Sequence, residues 1–212
     1  MSASIVVFTA DLNAQVCLGL PPFGTASIHV NFAAEFPDSA AGYAVGVGGG
    51  RDDNAFANIG MGLITYEGLD DQSIYGFLEI GYQLRLSMLQ ICPVASGYLG
   101  SGPDDDEIGI STSSRGIGGG LAAGIKFGSR TLSVIPNAAV RFALDEVEFE
   151  EDEIDESVTE TFEGGSADVG LALVLFDRVS IQPIVHFPFG SEDTETTFGI
   201  FAAVRFPWID WF

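Results

Sequence analysis

An alternation of period two constrains this chain more than any other feature. Phe198, Ile200, Ala202, Val204 and Phe206 alternate with Gly199, Phe201, Ala203 and Arg205. The preceding segment repeats the pattern, with Val179, Ile181, Pro183, Val185, Phe187 and Phe189 set against Ser180, Gln182, Ile184, His186 and Pro188. Successive side chains of a β-strand point to opposite faces, so each segment has one greasy face and one face of mostly small or polar residues. A soluble barrel needs the reverse, an apolar interior and a charged exterior. The pattern therefore predicts a barrel whose outside meets lipid.

Ten strands are predicted, at about 25–36, 41–50, 55–67, 73–86, 88–100, 111–127, 131–147, 160–176, 179–190 and 195–206. Parity holds in nearly all of them. Ile74, Leu78, Ile80, Tyr82 and Leu84 oppose Tyr75, Phe77, Glu79 and Gln83, and Val169, Leu171, Leu173 and Leu175 oppose Asp168, Gly170 and Ala172. The third strand departs most, because Phe56 and Tyr66 fall on the smaller face. Connections around Arg51–Asn54, Leu86–Ser87, Gly128–Arg130 and Asp177–Arg178 are tight. Those at the opposite ends are mostly longer and more acidic. Short–long alternation is the pattern of an up-and-down bacterial barrel.

Composition fits a membrane barrel with segregated charge. The chain is 47% hydrophobic yet carries a net charge of −22, and its mean hydropathy is +0.31. The acids gather between apolar segments, at Asp104–Glu107 and from Glu146 to Glu156. No stretch is long and apolar enough for a transmembrane helix, so any crossing must be made by strands. Eight basic residues against thirty acidic ones would repel phosphate, which excludes nucleic acid as a partner. Residues 1–14 read as a truncated signal segment, 15–24 as a periplasmic N-terminal segment and 25–212 as the barrel.

The chain resembles the small bacterial outer-membrane β-barrels, the broad group that includes the OmpA membrane domain and OmpW-type proteins. The last strand and the terminal aromatics Phe206, Trp208, Trp211 and Phe212 carry the resemblance, which covers residues 25–212. It implies an all-β, closed, antiparallel up-and-down transmembrane barrel of about ten strands, with eight as the alternative. It also implies residence in the bacterial outer membrane among lipid and lipopolysaccharide, and recognition by the barrel-assembly machinery through Phe212.

The inward face holds few ionisable groups: His29, Glu35, Glu79, Arg85, Lys126, Arg141, Asp168, His186 and Arg205. Unpaired charge inside a barrel is costly, so a lumen polar network is expected, with Glu79 paired to Arg141, Arg85 or Arg205. No catalytic constellation emerges, because neither histidine has a nucleophile placed within reach. The acidic runs lack the ligand spacing of a calcium loop, and the glycine run from Gly116 to Gly120 lacks a phosphate-loop lysine. No metal or cofactor is expected. Cys17 and Cys92 both fall on the periplasmic side, and an exported chain with two cysteines can join them. That bond would draw residues 17–22 into the lower mouth. The alternative is two separate buried thiols.

These readings point to a non-enzymatic membrane barrel, serving as a structural anchor or a narrow passive channel. A surface binding module using the acidic loops and a soluble lipocalin-like ligand-binding barrel are the alternatives.

Overall fold

The parity segments all become strands. The computed structural model describes residues 16–20, 26–37, 40–51, 54–67, 72–86, 88–102, 110–151, 156–190 and 195–207. A 3-10 turn, Val16–Leu18, precedes β1 (Ala26–Phe36), β2 (Ala40–Arg51), β3 (Ala55–Tyr66) and β4 (Gln72–Tyr82). β5 (Leu84–Leu86) continues β4 beyond Gln83. β6 (Leu89–Ser101) and β7 (Ile110–Ile125) follow, and β8 (Phe127–Gly128) continues β7 beyond Lys126. β9 (Leu132–Glu151), β10 (Glu156–Leu175), β11 (Val179–Phe189) and β12 (Thr197–Pro207) complete the sheet.

Since β5 and β8 extend their predecessors, the wall has ten staves, each antiparallel to the next. The eight-strand alternative is thereby set aside. β1 pairs with β12 through Val30–Val204 and its neighbours, which closes the ring. Closure removes the sheet edges and satisfies the backbone in lipid, where water cannot do so.

β9 and β10 are longer than the sequence suggested. Their ladder runs on through Val147–Glu160, Phe149–Val158 and Glu151–Glu156. The alternation of Val147 and Phe149 with acids continues the strand, and β7 lends a third strand through Arg115–Glu146, an ion pair at 2.5 Å. β11 joins β10 only from Gly165, so a three-stranded acidic ribbon stands beyond the barrel rim. Asp104–Glu107, residues 1–14 and the terminal Trp208, Trp211 and Phe212 lie outside the described residues.

The outer surface is apolar. Val47, Ile59, Leu78, Ile117, Leu171 and Ile200 are all exposed on it. Aromatic side chains frame this band at both ends. Phe36, Tyr43, Phe142, Phe187, Phe189 and Phe198 lie toward the rim with the longer connections, and Tyr82, Phe127, Phe176 and Phe206 toward the rim with the short turns. An apolar band between aromatic girdles is the signature of a transmembrane barrel. The soluble lipocalin-like alternative fails here, because it would place this greasy surface in water.

The interior is filled at one end. Cys17, Phe56, Cys92, Val94, Ala122 and Ala139 form one buried cluster, with Leu18 packed against it. Buried amides and hydroxyls surround it, including Gln83, Gln90, Ser133 and Ser180.

Candidate functional site

Residues 16–20 of the N-terminal segment lie inside the lumen. Cys17 is bonded to Cys92 of β6, with Cα atoms 6.0 Å apart, within the ordinary range for a disulfide. Cys92 stands opposite Ala122 of β7, which in turn faces Ala139 of β9. The two alanines leave room on this side of the lumen, and the 3-10 turn packs into it against β6, β7 and β9. Gly19 then adopts φ +69°. It passes so close to the wall that a Cβ would lie 2.9 Å from Asn137 Nδ2 of β9 and closer still to Gln182 of β11. Only glycine meets both conditions without strain.

Amide bridges lie around this plug. Gln182 Nε2 donates to Asn137 Oδ1 at 2.9 Å, and Asn31 Nδ2 donates to Asn58 Oδ1 at 2.9 Å. Gln83 Nε2 donates to Gln90 Oε1 toward the short-turn rim.

Above the plug is a cup of about 730 Å³, floored by Cys17, Leu18 and Leu20. One charge cluster spans it. Arg141 Nη2 lies 3.2 Å from Glu79 and Arg141 Nε 3.9 Å from Asp168. Asp168 also meets His186 Nδ1 at 2.6 Å. Asp168 and His186 are direct cross-strand partners, so register alone brings them together. Tyr75, Phe77 and Tyr98 form an aromatic part of the wall. Each faces a glycine across its ladder, Gly62, Gly60 and Gly116 respectively, and each ring fills the space that the missing Cβ leaves.

The residues singled out from the sequence therefore separate into two layers. Glu79, Arg141, Asp168 and His186 meet in the cup. His29, Arg85, Lys126 and Arg205 belong to the lower part. His29 is buried opposite Gly48 and Arg205. Lys126 pairs with Asp177 at 2.8 Å. Arg85 is exposed opposite Gln90. Glu79 thus takes the first of its three proposed partners, while Arg85 and Arg205 lie away from it. Sequence reasoning missed Asp145, which lines the cup beside Tyr98, and the ring-on-glycine wall. Inward parity at Asp145 was the available signal, and its place in an acidic run concealed it. Among the described residues, no group of three or more His, Cys, Asp and Glu is arranged to hold a metal ion.

No protein-family model and no curated protein matches the chain. Solved structures do. The β domain of the Bordetella autotransporter BrkA aligns with a TM-score of 0.54 at 12% identity, covering 86% of this chain and 100% of that one. The translocator domain of the autotransporter NalP from Neisseria meningitidis aligns with a TM-score of 0.51 at 16% identity, covering 90% of each. Ail, the attachment invasion locus protein of Yersinia pestis, aligns at 0.46 and 11% identity over 85% of this chain and 97% of that one. The fold is that of a bacterial outer-membrane β-barrel. The apolar band framed by aromatic side chains marks the surface by which a barrel of this fold meets lipid.

Proposed function

We propose that the protein is a sealed, non-enzymatic outer-membrane barrel, an anchor rather than an open passive channel. The observation that carries this reading is the Cys17–Cys92 bond, which fixes the plug against the inner wall. On this view the plug and the amides beside it, Asn31, Asn58, Asn137 and Gln182, close the cup at its base. In this reading the short-turn rim faces the periplasm and the acidic ribbon faces outward. Residues 16–20 supply the plug. Phe212 addresses the chain to the barrel-assembly machinery, and lipopolysaccharide surrounds the outer girdle. Neither histidine of the lumen is given a catalytic role. His186 is held by a carboxylate but is hydrogen-bonded to no hydroxyl nucleophile among the described residues.

Planar-bilayer recording tests the sealed lumen. The oxidised protein should show no steady conductance, whereas Cys92→Ser, which frees the plug, should open in bursts. Steady conductance by the oxidised protein would contradict the reading and return the open channel. The extended ribbon favours a second reading, a surface binding module. In that case, neutralising Glu146, Glu148 and Glu150 should abolish partner binding while the barrel still folds.

A further inference from the structure

The geometry points to the cup as a binding site for a small organic cation, an alkyl or aryl ammonium entering from outside. The inference rests on the plug as the floor of the cup. It does not require the barrel to be non-conducting under voltage. The volume of about 730 Å³ is that of a small-molecule pocket, and its wall is mostly apolar surface with charged, amide and hydroxyl side chains set among the aliphatic and aromatic ones.

The charge balance sets the class of ligand. Glu35, Glu79, Asp145 and Asp168 line the cup against one guanidinium, Arg141, and one imidazole, His186. Arg141 and His186 are taken up by Glu79 and Asp168. Glu35 and Asp145 form no ion pair among the described residues; Asp145 accepts a hydrogen bond from the Tyr98 hydroxyl, while its Oδ1 is buried without a hydrogen-bond partner. Glu35 shares the lining of the cup with Tyr75 and His186. Carboxylates and the aromatic side chains Tyr75, Phe77 and Tyr98 in one cup suit a cation with an apolar body, which gains from both. The acidic ribbon beside the mouth raises the local concentration of such a ligand and repels anions.

Calorimetric titration of benzyltrimethylammonium into the refolded full chain in dodecylmaltoside tests this, with phenylacetate and benzyl alcohol as anionic and neutral controls. The expected result is saturable binding of about one cation per barrel and none of either control. Glu35→Gln combined with Asp145→Asn should weaken it by about tenfold or more, since it removes both unpaired charges. Arg178→Gln, exposed in the tight turn at the opposite rim, should leave binding unchanged. Each variant is first shown to be folded by its gel mobility before boiling. Absence of saturable binding to the folded wild type would overturn the inference. So would equal binding by the folded double variant, or equally tight binding of phenylacetate. Conductance is read separately, so a leaking barrel that binds the cation refutes only the sealed lumen.

Discussion

Tyr75 faces Gly62 directly across the β3–β4 ladder, and its ring stands where a Cβ on that glycine would be. Phe77 and Gly60, Phe56 and Gly81, and Tyr98 and Gly116 repeat the arrangement. These four inward glycines are seats for rings, and three of the rings, Tyr75, Phe77 and Tyr98, shape the cup.

Gly62→Ala should cost about 1–3 kcal/mol, because the new methyl displaces a packed ring. Gly76→Ala on the same hairpin is the control. Gly76 faces outward, and its Cβ would meet only Gly60 O at 3.8 Å. That substitution should be neutral or stabilise by about 0.4–1 kcal/mol through the unfolded chain. Urea unfolding in lipid vesicles, followed by tryptophan fluorescence, checks both.

This relationship also shows where sequence reading stops. Parity placed Phe56 on the inner face and set the staves, because a period of two needs no knowledge of neighbours. Glycine at 60, 62 and 116 was visible as well, but a ring settles on a glycine only once register sets the two opposite. Asp168 and His186 were likewise both marked as inward, and their pairing follows from a ladder that a single strand does not encode. The plug was legible because Cys17 precedes the first predicted strand and Cys92 opens the fifth, both on the short-turn side. The reach of β9 and β10 beyond the rim was not, since an acid-rich segment reads as loop until Arg115 is set against Glu146.

The cluster in the cup should behave as one unit. Arg141→Met leaves Glu79 and Asp168 without their shared cation and should cost about 1–3 kcal/mol, moderated because the arginine is partly hydrated. Adding Glu79→Gln to Arg141→Met should recover part of that loss. A double-mutant cycle from vesicle unfolding measures the coupling, which should be of the order of 0.5–3 kcal/mol.

Charge on the outer band should be punished by depth. Leu171→Arg, in the middle of the apolar band, should cost about 2–4 kcal/mol. Thr161→Arg, on the exposed ribbon, should change stability by less than about 0.5 kcal/mol. The same vesicle unfolding assay reads both, and equal effects would argue against a lipid boundary between them.

Removal of Phe212 separates assembly from folding. The shortened chain should refold in detergent as the parent does, while its yield in outer membranes of an expressing cell falls severalfold. Membrane fractionation and immunoblotting give the comparison.

The lipid-facing barrel is the central claim, and mobility of unboiled and boiled samples on a cold SDS gel tests it most directly. Samples folded in detergent and in plain buffer are compared, with circular dichroism of each. A β-rich species that shifts on boiling, obtained only in detergent, is the predicted result. A monodisperse β-rich protein formed in buffer without detergent would contradict the account, since the exposed apolar band would then have no lipid to cover it.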